Sequence, residues 1–158
     1  ENNSLKAVYR RLDILLKIKN RLLFDDSKSG EVLSSRAKEL ASTLEAGDVL
    51  LLENLRFDAG ETSNSDEVAK QLADMFDIYI NDAFGACHRK HASIYALTSY
   101  FDKDHKAAGF LLMKEVNFFV KVLEKPTRPF IAVVGGSKVS GKLEALTKLI
   151  DRVDKIII

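Results

Sequence analysis

The sequence predicts an α/β protein built on a doubly wound parallel sheet, and three observations support that fold class. Short apolar runs alternate with amphipathic helical segments along most of the chain. The runs have the length of buried strands and are bounded by turn residues. Polar or glycine-bearing loops follow several of the runs directly. In such a sheet, ligands bind at the carboxyl ends of the strands, so these loops are the expected place for a site.

The first half of the chain contains a helix and then repeated helix and strand units. Apolar residues at helical spacing between Leu5 and Leu15 predict the opening helix. The further elements are predicted, in chain order, as a strand at Arg21–Phe24, a helix from about Glu31 to Leu44, a strand at Val49–Leu52, a helix from about Asp66 to Phe76 and a strand at Ile78–Ile80.

A long apolar helix dominates the second half. Its apolar side chains recur every three or four residues from about Ala107 to Lys125, and Pro126 is expected to end it. This helix either belongs to the core of one domain or joins two lobes. A new strand, turn, helix and strand series begins after Pro129, so a domain boundary is expected between Lys106 and Pro129.

Composition is typical of a globular protein. The 158 residues are 46% hydrophobic and 30% charged, which excludes disordered and fibrous classes. The formal net charge is only +1, so any anion site must be local, and neither nucleic acid nor an anionic membrane is an expected partner. The single cysteine, Cys87, cannot form an intrachain disulfide, which suits a reducing compartment.

The ends of the chain also carry expectations. The amino terminus lacks the layout of a secretory signal, and no apolar run approaches the roughly 18 residues that would span a bilayer. The chain begins without Met and stops inside the apolar run Lys155–Ile158. A buried strand normally leads into a loop and a covering helix, so we expect the chain to be cut from something longer.

The segment FIAVVGGSKVSGKL, residues 130–143, is the most informative stretch. An apolar strand runs into a turn with Gly135, Gly136 and Lys138, and then into a helix. Glycines let backbone N–H groups approach an anion, the helix adds unpaired donors and the lysines add charge, so the turn predicts a phosphate site. An ordinary glycine turn with solvated lysines is the plainer alternative.

The same turn matches part of the Walker A pattern of nucleotide hydrolases. Gly136, Gly141 and Lys142 have the required spacing, but Leu143 stands where the pattern needs a Ser or Thr that binds Mg²⁺. A P-loop hydrolase is therefore a rival interpretation that fails at an essential position.

A second candidate site follows the strand at Ile78–Ile80. His88, Arg89, Lys90 and His91 are consecutive, and their mutual repulsion is relieved where an anion or carboxylates offset the charge. An exposed basic loop is the plainer alternative, since charge runs are usually solvated. A metal site at the two histidines is a weaker hypothesis, because no nearby Cys, Asp or Glu completes a convincing ligand set.

Arg56 is the third candidate, placed between two apolar residues just past a buried strand. Its planar guanidinium suits bidentate contact with a carboxylate or phosphate. A salt bridge to Glu53 or Glu61 is the alternative. Cys87 is a weaker candidate for a nucleophile, because no oriented base accompanies its thiol.

Taken together, these motifs resemble the phosphoglycerate kinase family in sequence, order and spacing. The resemblance covers essentially the whole chain, and its loops are specific as a set although each is weaker alone. The stretches that carry it are Leu51–Phe57, Asn81–Gly85, His88–Ser93, Ala108–Leu111 and Val134–Val139.

The resemblance implies a truncated two-lobe kinase with Rossmann-like lobes. The implied domains are residues 1–106 as part of the substrate-binding lobe, residues 107–125 as the interdomain helix and residues 126–158 as the start of the nucleotide-binding lobe. The implied substrate contacts are Arg56, His88, Arg89 and His91. The implied nucleotide contacts are Gly135, Gly136, Ser137, Lys138 and Lys142, with Lys138 as the catalytic residue nearest the transferred phosphoryl group.

The implied reaction transfers a phosphoryl group reversibly between 1,3-bisphosphoglycerate and ADP, giving 3-phosphoglycerate and ATP in glycolysis. Mg²⁺ is expected to enter with ADP or ATP, without a dedicated protein cage for the metal. A cationic constellation without a nucleophile agrees with this chemistry, because phosphoryl transfer depends mainly on positioning and positive charge. The resemblance also implies a cytoplasmic monomer with no nucleic-acid or membrane partner.

The chain departs from the family where whole segments have no counterpart. The family's opening strand, with an Asp-x-Asn substrate contact, another arginine and a His-x-x-Arg pair, is missing, as are its later nucleotide loops. This chain is therefore not expected to catalyse alone, although its parent is. A non-catalytic module that binds anions through Arg56 and the basic loop is the second rival.

Overall fold

The structure is a computed structural model that describes residues 3–16, 21–26, 30–31, 33–135 and 143–157, with the backbone alone for 143–146. The chain divides into two compact units, Glu1–Gly109 and Phe110–Ile158. The domain limits implied by the resemblance, 1–106, 107–125 and 126–158, stay a prediction.

In the part of the chain that the structure describes, the first unit contains four short α-helices and four short strands with parallel pairing. The strand Leu22–Phe24 pairs with Val49–Leu51, and the strand Tyr79–Asn81 pairs with Lys106–Ala108, both in parallel. The elements are α1 (Lys6–Leu16), β1 (Leu22–Phe24), α2 (Ser35–Ser42), β2 (Val49–Leu51), the 3₁₀-helix Leu55–Phe57, α3 (Ala59–Thr62), α4 (Asp66–Ala73), β3 (Tyr79–Asn81), the 3₁₀-helices Phe84–Ala86 and Ala96–Tyr100, and β4 (Lys106–Ala108).

The second unit repeats the same parallel arrangement on a smaller scale. Its elements are α5 (Phe110–Glu124), β5 (Ile131–Val133), α6 (Leu143–Ile150) and β6 (Lys155–Ile157). Strand β5 pairs with β6 in parallel. Parallel strand pairs with intervening helices in both units confirm the predicted α/β class.

The core of the first unit forms where α2 and α4 present their small and apolar side chains. Ser65 caps α4 by accepting the N–H of Val68 at 3.4 Å, and two acidic residues in the first turn favour the positive end of the helix dipole. The buried face of α4 is formed by Ala69 and Leu72. The buried core residues are Leu33, Ala37, Ala69, Leu72, Ala92, Leu97 and Phe101.

The long helix starts later than its apolar spacing predicts. Helix α5 begins at Phe110 rather than at Ala107, because the preceding residues pair with β3 as strand β4. The N–H of Gly109 donates to the carbonyl of Asn81 at 2.7 Å. A Cβ on Gly109 would lie 2.5 Å from the Cβ of Asp82, so no larger residue fits this junction without a shift.

Candidate functional site

The ends of β2 and β3 open into one cavity of about 460 Å³ in the first unit. Residues that follow β2 and line the cavity include Asn54, Leu55 and Arg56, and those that follow β3 include Asp82, Ala83 and Ser93. The fold thus brings together the two strand-end loops that the sequence singles out. Ligands of parallel α/β folds bind at strand ends of this kind.

Arg56 lines this cavity from the 3₁₀-helix Leu55–Phe57. The side-chain oxygen of Asn54 accepts the backbone N–H of Arg56 at 3.1 Å and begins the helical turn. Among the described residues, no carboxylate lies within ion-pair distance of its guanidinium, and Glu53 and Glu61 accept hydrogen bonds from other groups. The alternative in which Arg56 pairs with one of those glutamates is therefore wrong.

Glu53 instead ties the cavity wall to the start of α1. Its carboxylate accepts the Ser4 hydroxyl at 2.6 Å, the Leu5 N–H at 2.6 Å and the Asn54 N–H at 2.7 Å. Burial acts to raise the pKa of Glu53, but these hydrogen bonds outweigh it and hold the pKa below its usual value. The ionised carboxylate is occupied in fixing the loop.

The first three members of the basic run lie at the surface. His88, Arg89 and Lys90 are exposed, and none of them is among the residues that line the cavity. The N–H of Arg89 donates to the carbonyl of Ala86 at 2.9 Å, and the ammonium of Lys90 lies 4.6 Å from the centre of the Tyr95 ring. The guanidinium of Arg89 and the imidazole of His88 are therefore open to solvent.

His91 is separated from the other three by burial. Only 7% of this residue is exposed, and its Nδ1 lies 3.6 Å from Oε1 of Glu61. No described residue hydrogen-bonds to that Nδ1. The fold does not bring His91 to the cavity lining, so its predicted contact with substrate has no support from its position.

Glu61 is a further functional candidate, which the sequence suggests only as a possible ion-pair partner of Arg56. It lies in α3 and is only 3% exposed. Its Oε1 accepts the hydroxyl of Ser93 at 2.7 Å, and its Oε2 accepts the N–H of Ser93 at 2.9 Å. Its backbone carbonyl accepts the N–H of Ala92 at 2.9 Å. These partners are about thirty positions away, so no local sequence pattern could have indicated them.

Tyr79 holds the same loop from β3. Its hydroxyl donates to the carbonyl of Ser93 at 2.8 Å, and its ring stacks on Phe101 at a centroid distance of 5.8 Å. Burial, followed by the negative potential of Cys87 and Glu61, raises the pKa of Tyr79 to about 12. The hydroxyl therefore keeps its proton and remains a donor at neutral pH.

The glycine-rich turn of the second unit is described only at its start. Gly135 is exposed just past β5, and a side chain there would meet no atom of the described residues within 4 Å. The predicted contacts Gly136, Ser137, Lys138 and Lys142 lie outside the described residues. Their roles stay predictions.

Neither a metal-binding cluster nor a membrane-spanning helix is found in the described part of the chain. No three His, Cys, Asp or Glu side chains there are grouped as they would be around a metal ion. No helix there combines the length and apolar character needed to cross a membrane. The free Cys87 is exposed, and its thiol donates to the carbonyl of Ala83 at 3.2 Å.

Comparison with known proteins gives a consistent result. The family model described as phosphoglycerate kinase matches residues 1–158. The chain is 56% identical to the phosphoglycerate kinase of Nautilia profundicola and 55% identical to that of Campylobacter curvus, each over all 158 residues. It spans 38% of the length of each of these relatives.

Solved structures of similar proteins carry the same name. The phosphoglycerate kinase of Coxiella burnetii matches with a TM-score of 0.73 and 37% identity, covering 97% of this chain and 36% of that one. The phosphoglycerate kinase of Pyrococcus horikoshii matches with a TM-score of 0.80 and 26% identity, covering 97% of this chain and 38% of that one.

Proposed function

Because this chain belongs to the phosphoglycerate kinase family, we propose that the complete gene product transfers a phosphoryl group between 1,3-bisphosphoglycerate and ADP, giving 3-phosphoglycerate and ATP in glycolysis. The match of the family model over the whole chain is the observation that carries this proposal. These residues span 38% of the matched relatives, so the chain alone is not expected to catalyse the reaction.

The cavity at the ends of β2 and β3 supports a phosphoglycerate site in the first unit. Arg56 lines it, and its guanidinium pairs with no described carboxylate. A planar guanidinium binds a phosphate or carboxylate through two parallel hydrogen bonds, and 3-phosphoglycerate carries both groups. His88 and Arg89, exposed on the neighbouring loop, would add positive charge near the same anion. His91, which is buried, would act by supporting that loop.

The nucleotide would bind at the turn that follows β5. Backbone N–H groups of Gly135, Gly136 and Ser137 would approach the phosphates, and Lys142 would add charge. ADP or ATP would arrive as its Mg²⁺ complex, the metal being part of the substrate.

In this reaction the chain would supply positive charge and would position the reacting groups. In the ATP-forming direction, an oxygen of the ADP β-phosphate bonds to the transferred phosphorus. The bond from phosphorus to the acyl oxygen breaks, and the 3-phosphoglycerate carboxylate leaves with the electron pair. Charge spreads over the three equatorial oxygens meanwhile, and the ammonium of Lys138 would stabilise it.

The proposal extends to the setting of the reaction. We place the enzyme in the cytoplasm as a monomer, where its small anionic substrates are metabolised and where the exposed thiol of Cys87 stays reduced. The net charge of +1 gives no global field for nucleic acid or anionic lipid, so neither is included as a partner.

ATP formation from 1,3-bisphosphoglycerate and ADP by the complete gene product tests the proposal. Wild-type protein should form ATP, and Lys138→Met should lower kcat by about a hundredfold, because it removes the charge nearest the transferred group. Lys103→Met, at an exposed position of the first unit, is the matched control and should retain the wild-type rate.

Two results would contradict the proposal. Absence of ATP formation by the wild-type protein would reject the kinase, and binding of phosphoglycerate without turnover would favour the anion-binding module. A large gain of Mg²⁺-dependent ATP hydrolysis in Leu143→Thr would favour a P-loop hydrolase, because that change completes the Walker A pattern.

A further inference from the structure

Glu61 contacts the last residue of the basic run and the two residues that follow it. Its two carboxylate oxygens accept the hydroxyl of Ser93 at 2.7 Å and the N–H of Ser93 at 2.9 Å. Its Oε1 lies 3.6 Å from Nδ1 of His91, and its backbone carbonyl accepts the N–H of Ala92 at 2.9 Å. One residue thus contacts three consecutive positions of the loop.

The contacts of Glu61 hold the loop in a fixed position. Glu61 is only 3% exposed, so its carboxylate relies on donors of the protein rather than on water. A buried carboxylate without donors is strongly disfavoured, and this one meets both donors of Ser93. Movement of the loop would therefore cost the carboxylate its hydrogen bonds.

Glu61 is also held at a set place relative to Arg56. The N–H of Asp58 donates to the carbonyl of Leu55 at 3.1 Å, which closes the 3₁₀-helix that carries Arg56. The carboxylate of Asp58 accepts the N–H of Gly60 at 2.7 Å and begins α3, the helix that carries Glu61. Two turns without an intervening loop connect the two residues.

We propose that Glu61 is a positioning residue for phosphoglycerate binding, whose carboxylate holds the loop carrying His88 and Arg89 in place relative to Arg56. The inference rests on the proposed function and adds a residue to its substrate site. Glu61 itself acts through Ser93 and His91.

Steady-state kinetics of the complete gene product test this role with Glu61→Gln. The amide keeps the size of the side chain but has one acceptor oxygen for the two donors of Ser93. We expect the KM for 3-phosphoglycerate to rise by about tenfold, while the KM for ATP stays within about twofold, since only one substrate site is disturbed. Glu39→Gln, which removes an exposed charge from α2, is the matched control and should leave both constants unchanged.

A second variant covers the case in which Glu61→Gln does not fold. Ser93→Ala removes one donor and keeps the backbone N–H, and it should raise the same KM by a smaller factor. Where both single variants fold, the double variant should show less than the product of the two effects, because both changes act on one contact.

The outcomes separate this inference from the proposed function. A wild-type protein that forms no ATP would refute the function and the inference together. An active wild-type protein whose KM for 3-phosphoglycerate is unchanged by both substitutions would refute the inference alone. An equal rise of both KM values, or a lower melting temperature with unchanged KM values, would show a merely structural role and would also overturn it.

Discussion

The hydroxyl of Tyr79 shows at the level of one residue how the loop beside the cavity is held. Its pKa is raised by burial to about 12, above the ordinary value of 10.0. The folded protein therefore binds this proton more tightly than the unfolded chain does. The resulting stabilisation is fully present below pH 10.0 and is lost as the pH rises through about 12.

We predict that Tyr79→Phe lowers the free energy of unfolding at neutral pH by about 1 kcal/mol, because the hydrogen bond to Ser93 is lost. The difference in unfolding free energy between wild type and variant should shrink between pH 10.0 and about 12, because Tyr79 loses its proton in this range. Urea denaturation at a series of pH values measures it. A difference that stays constant across this range would contradict the explanation.

At the same scale, the sequence could predict that Arg56 lies at a strand end but not that His91 is buried. An arginine just past an apolar strand lies at a strand end whatever the details of packing, and the structure places it at the cavity. His91 belongs to a run of four basic residues, and nothing in the composition of that run distinguishes it from the other three. Its buried ring lies beside the carboxylate of Glu61, which α3 supplies from an earlier part of the chain. Local patterns carry no information on such a pairing.

Among the elements, two of the parallel strand pairs are held at their start by an aspartate in the same way. Asp48 comes directly before β2, and its carboxylate accepts the N–H of Arg21 at 3.1 Å and the Nη2 of Arg21 at 2.8 Å. Asp154 comes directly before β6, and it accepts the N–H of Phe130 at 2.6 Å and the Nη1 of Arg128 at 2.9 Å. Each aspartate joins the start of one strand to the start of its partner.

We predict that Asp48→Asn destabilises the strand pair at neutral pH and that the effect disappears in acid. The backbone N–H of Glu45, followed by the Arg21 guanidinium, holds the pKa of Asp48 below its ordinary value of 3.8. A lowered pKa in the folded protein gives stability that is present above pH 3.8 and is lost as the pH falls through the folded value.

Thermal unfolding at several pH values checks this prediction. The melting temperature of Asp48→Asn should lie below that of wild type at neutral pH, and the two should converge in acid. Asp13→Asn, at an exposed position of α1, is the control and should follow wild type throughout. A deficit of Asp48→Asn that persists unchanged at low pH would mean that charge is not the cause.

Element order was predictable because apolar residues recur with different spacing in helices and in strands, whereas β4 carries no such signal. Its sequence, Lys-Ala-Ala, has no β-branched or aromatic residue, and all three side chains are exposed. The strand exists because its backbone pairs with β3. Pairing of this kind depends on the neighbouring strand, so apolar spacing alone predicts that the following helix extends over these residues.

For the whole molecule, the family follows from loops that are individually weak signals. A glycine turn, a basic run or a lone arginine is common in proteins, but their order along one chain is specific. Comparison with known proteins confirms the resemblance, because the family model matches residues 1–158. The first unit supplies a cavity with Arg56 at its lining, while most of the glycine-rich turn lies outside the described residues. The nucleotide contacts in the second unit therefore stay a prediction from the sequence.

Binding of 3-phosphoglycerate to the complete gene product, compared between wild type and Arg56→Met by calorimetry without nucleotide, tests most directly whether this cavity is the substrate site. We expect the dissociation constant to rise by about tenfold or more, since a hydrogen bond to a charged group contributes about 1.5–3 kcal/mol. Arg10→Met, at an exposed position of α1, should bind as wild type does. Equal affinity of wild type and Arg56→Met would contradict the account.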